Sequence, residues 1–124
     1  DPHDASLIYT AIRETVEEVG VALDPLALRA TLDDHGPVTP VRPPIVVRPY
    51  LFRVEHEPAL RINHEIAEAA WIPLDVLADP ANRRAEEQLV RGRPLRAVGR
   101  QLPIGFLWGM TERILAPVIE AWNL

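Results

Sequence analysis

An α/β fold is predicted for this 124-residue chain by three observations. A 3.6-residue apolar period near the start marks an amphipathic helix. Short runs rich in β-branched and aromatic residues follow, broken by many of the chain's 13 prolines and by hairpin signals. A second helical period closes the chain. Helices bracketing short strands fit a layered α/β sandwich. With 48% hydrophobic residues the chain can bury a real core, and its length sets the limit at one domain, residues 1–124.

The first helix is expected over residues 4–19. Asp4 or Ser6 can cap it by accepting from its free amides, and Gly20 suits the left-handed position that ends it. Ile8, Ile12, Val16 and Val19 form the apolar stripe. Glu14, Glu17 and Glu18 occupy another side, with Glu18 about 40° and Glu17 about 60° from Glu14 around the axis. Three like charges this close repel unless a cation neutralises them. An oxygen-only set suits a hard divalent ion, Mg²⁺ or Mn²⁺. A solvated acidic face is the competing reading for any helix with three glutamates.

The remaining elements follow in order. Val21 to Leu23 reads as a short strand. Residues 24–44 read as a long connection, punctuated by Pro25, Gly36, Pro37, Pro40, Pro43 and Pro44, with a helical turn near Leu26 to Leu32. Ile45 to Glu55 is the clearest strand, with Pro49 marking a bulge or an edge. Leu60 to Asn63 and Glu68 to Ile72 read as two further strands, and Pro73 starts a short helix. Glu87 to Val90 and Leu95 to Val98 flank Arg91-Gly92-Arg93-Pro94 as a hairpin, and Phe106 to Trp108 adds a strand. Thr111 to Trp122 is a terminal helix in which Pro117 predicts a kink or a later start. Trp71, Trp108 and Trp122 are expected in the core, and Tyr50 or Phe52 could border a base pocket.

Composition removes several classes of function. The net charge of −5 argues against a nucleic-acid partner. All 13 basic residues are arginine, which excludes a Schiff-base or P-loop lysine. With no cysteine there is no disulfide, thiolate metal site or cysteine nucleophile. No apolar run approaches the roughly 20 residues needed to span a bilayer, and no signal peptide is visible. The chain reads as cytoplasmic, without a membrane partner. His64-Glu65 opens like a zinc-protease motif, but Glu68 stands where the second histidine is needed. His3, His35 and His56 have no partner at ligand spacing and read as solvated loop residues.

Arg13-Glu14-Thr15-Val16-Glu17-Glu18-Val19-Gly20-Val21 resembles the second half of the Nudix box, G-x5-E-x7-R-E-U-x-E-E-x-G-U, with U a bulky apolar residue. Arg13, Glu14, Glu17, Glu18, Gly20 and Val21 match, and Thr15 departs at the first U. Five fixed identities at this spacing should arise by chance on the order of once in ten thousand chains of this length. Ala5 stands where the box has its first glutamate, and the leading glycine would fall before Asp1. Asp1 to Ala5 look like the turn into the box helix of coenzyme A pyrophosphatase-like members, as do Thr39 to Tyr50 and Trp108 to Leu115 for later segments of that subgroup. Its distinguishing substrate motif lies upstream of the box.

The resemblance implies a Nudix-like α/β/α sandwich with a mixed sheet, and a hydrolase that cleaves the diphosphate of a nucleoside diphosphate linked to another moiety. It implies Mg²⁺ or Mn²⁺ bound by Glu14, Glu17 and Glu18, with Glu14 and Glu17 also serving catalysis; for Arg13, a structural ion pair with a box glutamate is favoured over substrate contact. His64 to Leu74 resembles the loop, strand and helix found after the box. There Glu65, six residues before Trp71, reaches the metal site or acts as base, or is simply an exposed loop acid. A small-molecule nucleotide is the implied substrate, with coenzyme A and its derivatives first and ADP-ribose or a dinucleotide next. The alternative is a non-catalytic Nudix-like nucleotide-binding module or a truncated remnant. The resemblance further implies that the strands that normally precede the box are missing from this sequence. The apolar stripe of the first helix would need cover, which a homodimer could supply.

Overall fold

The computed structural model describes residues 2–36 and 45–122. Residues 37–44 of the expected long connection lie outside the described residues, as do the side chains of Asp4 and Ser6. The chain is α/β, and its described residues group into two compact units, 2–36 with 45–71 and 72–122.

In the first unit, helix α1 runs from Pro2 to Val19, starting slightly earlier than its pattern suggests. Gly20 closes it at φ 73°, and the Gly20 amide donates to the Val16 carbonyl at 2.9 Å. A Cβ on Gly20 would sit 2.7 Å from Cβ of Arg61. Glycine is therefore required both by the left-handed backbone and by close approach of a second segment. Val21 to Leu23 is not a strand, although Val21 is buried. Asp24 instead accepts from the Leu26 amide at 2.9 Å and caps a 3₁₀ turn, Pro25–Ala27.

Strand β1, Leu28–Thr31, follows where a helical turn was expected. It pairs antiparallel with β2, Tyr50–Phe52, through a register shift between Leu28 and Ala30. The long strand expected over 45–55 is reduced to this core, because Pro49 has no amide to donate. Its carbonyl accepts from Leu32 at 2.9 Å, and a bridge joins His35 to Val47. Residues 60–63 and 68–72 are not strands either. Their polar groups are satisfied one by one, as where the Trp71 indole donates to the Pro58 carbonyl at 2.9 Å.

The second unit begins with helix α2, Leu74–Ala78, after Pro73 as expected. Strands β3 (Arg83–Val90) and β4 (Arg93–Leu102) make a hairpin longer than its sequence signal, in register from Arg83↔Arg100 to Val90↔Arg93. Its turn residues Arg91 and Gly92 both have positive φ, 52° and 77°, the geometry that matches hairpin twist. Strand β5, Gly105–Leu107, adds to β4. Helix α3, Met110–Trp122, keeps Pro117 within it rather than starting later. All strand pairs among the described residues are antiparallel.

Leu77, Ala78, Leu102 and Ile119 form the core of this unit, covered by Ile72, Val76, Ile104, Leu107 and Leu115. Arg100 is buried beside them. Its guanidinium donates from Nη1 to the Leu77 carbonyl at 2.9 Å, an orphan of the α2 end, and Nε stands 3.7 Å from Glu112. Two tryptophans expected in the core are not there, since Trp71 is 42% and Trp122 53% exposed. Each gives its ring only partial cover, because no strand forms over 68–72 and Trp122 lies in the last turn of α3.

Candidate functional site

The last two turns of α1 carry the acidic residues. Glu14, Glu17 and Glu18 are exposed, while Ile12, Thr15 and Val19 on the other side are half-buried. The Thr15 hydroxyl donates back to the Ala11 carbonyl at 2.8 Å. That bond explains how a polar residue is accommodated at an apolar position of the box. The expected ion pair of Arg13 is present. Nη1 donates to Oε1 of Glu17 at 2.9 Å, and Nη2 lies 4.0 Å from Oε1 of Glu14. One guanidinium thus reaches both carboxylates, supplying the positive charge that their closeness demands.

The segment after residue 60 is tied to this end of the helix. The Arg61 amide donates to the Val19 carbonyl at 2.7 Å. Asn63 donates from Nδ2 to the Glu17 carbonyl at 2.9 Å, and its Oδ1 accepts from the Glu65 amide at 3.0 Å. Two carbonyls that the helix leaves without internal partners are satisfied this way. The Asn63 side chain also shapes the turn that presents Glu65. Glu65 itself is 70% exposed, and His64 Nε2 lies 3.9 Å from its Oε1.

The Glu65 amide is therefore tied through Asn63 to the end of α1. The side chains are not drawn together: among the described residues no three carboxylate or imidazole groups are gathered to hold a metal ion. The donor set nonetheless fits a hard divalent cation, being all oxygen and open to solvent. Asn63 was not singled out from sequence. Its signal was an Asn two residues before an acid in a proline-bounded loop, the pattern of a side chain that bonds its own backbone.

A cavity of about 530 Å³ lies elsewhere in the first unit, lined by Ile8, Thr31, Leu32, Asp33, Asp34, Arg48 and Tyr50. Arg48 binds Asp34 with Nε at 2.9 Å from Oδ1 and Nη2 at 3.2 Å from Oδ2. The hydrogen bond from Arg48 is the main cause that holds the Asp34 carboxyl below its ordinary 3.8, opposed by desolvation and helped by the Arg48 charge. Tyr50, read as a candidate for a base pocket, does border this cavity, whereas Phe52 does not line it.

Fold and helix end together define the class: a small α/β protein in which the loop carrying Glu65 is bonded through Asn63 to an acidic helix end. A family model described as the NUDIX domain matches residues 1–91, and the chain belongs to that family. It is a pyrophosphohydrolase acting on phosphorus-containing anhydrides of nucleoside diphosphate derivatives. Enzymes of this family generally use divalent metals such as Mg²⁺ or Mn²⁺. No curated protein and no solved structure matches the chain. No helix among the described residues is long and apolar enough to cross a membrane.

Proposed function

We propose that the chain hydrolyses coenzyme A or its derivatives at the diphosphate, with ADP-ribose or a dinucleotide as the next substrate class. The hydrolytic site in this reading is supported by the Asn63 tie, in which Asn63 bonds both the Glu17 carbonyl and the Glu65 amide. The resemblance of Trp108 to Leu115 to coenzyme A pyrophosphatase-like proteins supports the choice of substrate.

Glu14, Glu17 and Glu18 would hold Mg²⁺ or Mn²⁺. Such an ion offsets diphosphate charge and makes a nearby water more acidic. Arg13 fixes Glu17 and limits repulsion within the acidic set before any cation arrives. Glu65, exposed on an anchored turn, is the group to accept the proton of the attacking water. The water oxygen bonds to one phosphorus as the bridging P–O bond breaks, and the second phosphate leaves with the bridging oxygen.

The test combines turnover with binding. Purified chain with Mn²⁺ should convert coenzyme A into two phosphomonoester products. By calorimetry, Glu18→Gln should weaken Mn²⁺ binding by tenfold or more, since a neutral amide replaces a charged ligand. Equal Mn²⁺ affinity in the two proteins would overturn the metal assignment. Cleavage of ADP-ribose but not coenzyme A would replace the substrate.

A further inference from the structure

We propose that the outer edge of β3 pairs with the same edge of a second copy of this chain, antiparallel about a two-fold axis through Ala85. The inference concerns the second unit alone and does not depend on the hydrolase reading. In its sheet β3 has a single neighbour, β4, with β5 on the far side of β4. The other edge of β3 is open. Along Arg83–Val90 there is no proline and no break in register, two devices that commonly guard such an edge.

The turn fixes which backbone groups that edge offers. Arg91 and Gly92 make a two-residue loop, so Val90 and Arg93 exchange ladder bonds, and every second residue of β3 does the same with its partner in β4. Val90, Gln88, Glu86 and Arg84 thus turn their amides and carbonyls toward β4. Leu89, Glu87, Ala85 and Arg83 turn theirs outward. The Arg83 amide is already given to the Pro80 carbonyl, and the Arg83 carbonyl accepts from Nη1 of Arg84 at 2.8 Å. No other backbone segment among the described residues bonds the outward groups of Ala85, Glu87 or Leu89.

The side chains select both partner and register. Arg83-Arg84-Ala85-Glu86-Glu87 reads basic, basic, neutral, acidic, acidic. Laid antiparallel on a second copy with Ala85 opposite Ala85, it sets Arg83 against Glu87 and Arg84 against Glu86, each twice by symmetry. Moving the axis by one residue puts Arg84 opposite Arg84 or Glu86 opposite Glu86, and like charges directly opposite destabilise a ladder. In the favoured register Ala85 exchanges both ladder bonds with Ala85 of the second copy. Each Glu87 amide donates to the opposite Arg83 carbonyl, which has a second lone pair to accept it. None of the four charged residues forms an ion pair among the described residues. Val98, opposite Ala85 in β4, is 54% exposed. Pairing extends Val98 and Ala85 into one apolar row across both copies.

Sedimentation equilibrium of the full chain tests this. The wild type should dimerise at micromolar concentrations, and the dimer should weaken about tenfold at high salt, because exposed charge pairs are screened. An all-acidic variant (Arg83→Glu with Arg84→Glu) and an all-basic one (Glu86→Arg with Glu87→Arg) should each be monomeric alone. Mixed in equal amounts they should pair, since every opposed position again carries opposite charges. Because the chain has no cysteine, Ala85→Cys gives a reading that keeps the native charges. Its two copies would stand about 5.5 Å apart at Cα, within disulfide reach, and should couple on mild oxidation. Leu89→Cys, about 27 Å from its counterpart in this register, should not. A wild type that stays monomeric at millimolar concentration would overturn the proposal. So would a dimer that persists in either charge variant alone, folded variants that fail to pair when mixed, or coupling at position 89 in preference to 85.

Discussion

Replacing Gly20 by alanine tests how the acidic helix end is built. The residue sits at φ 73°, where a side chain costs about 1 kcal/mol or more relative to glycine. The new Cβ would also fall 2.7 Å from Arg61 Cβ and 3.3 Å from Arg61 N. Those atoms belong to the root of Arg61, so rotating its long side chain gives no relief. The segment itself must shift, at the roughly 1–3 kcal/mol typical of overpacking. Together the terms predict a loss of about 2–4 kcal/mol, a large part of the 5–15 kcal/mol that holds a domain folded. The bond from the Arg61 amide to Val19 lies in the same contact. Its amide should therefore exchange faster with solvent in the variant. Urea unfolding and hydrogen exchange measure the two effects. A loss below about 0.5 kcal/mol with Arg61 exchange unchanged would refute the close-approach argument.

Asn63→Ala removes the bond to the Glu17 carbonyl and the bond from the Glu65 amide. Each is worth about 1 kcal/mol, so stability should fall by roughly 1–2 kcal/mol. Turnover should fall further than Mn²⁺ affinity, because Glu65 loses its anchorage while the three helix glutamates keep theirs; an equal fall in both would place Asn63 in metal binding instead. The Asp34 carboxyl titrates below its ordinary 3.8, chiefly through the hydrogen bond from Arg48. A depressed carboxyl contributes stability that is complete above the unfolded value and is lost as pH falls through the lower folded one. Carboxyl NMR should show a midpoint below 3.8 in the wild type, returning toward it in Arg48→Gln; identical midpoints would dismiss the Arg48 contribution.

Elements with strong internal period were legible in sequence, and those fixed by partners were not. Helix α1 and its glycine stop follow from residues 8–20 alone, and the β3–β4 turn follows from Arg91-Gly92. Residues 45–55 read as one long strand because they are rich in β-branched and aromatic residues. The ladder stops at three residues since Pro49 cannot donate and β1 offers only four residues opposite. Of the helical turn expected near Leu26 to Leu32 only the 3₁₀ turn ending at Ala27 forms, because Leu28, Ala30 and Leu32 alternate with Arg29, Thr31 and Asp33, a period of two. Glu14, Glu17, Glu18 and Arg13 could be placed on one helix by spacing. The link from Glu65 to them depends on Asn63 and Arg61 bonding a helix end some 46 residues earlier, a contact no local pattern announces.

The hairpin of β3 and β4 bears on how this chain reaches its fold. Its contacts begin at Val90↔Arg93 and grow outward to Arg83↔Arg100, so each added pair closes only a slightly larger loop. Such local contacts form on the microsecond scale and carry little of the entropic delay that distant pairing imposes. Tethering Asn63 to Glu17 instead requires a long stretch of chain to be enclosed first. During refolding, the hairpin can therefore form as a local unit before the acidic helix end acquires its loop.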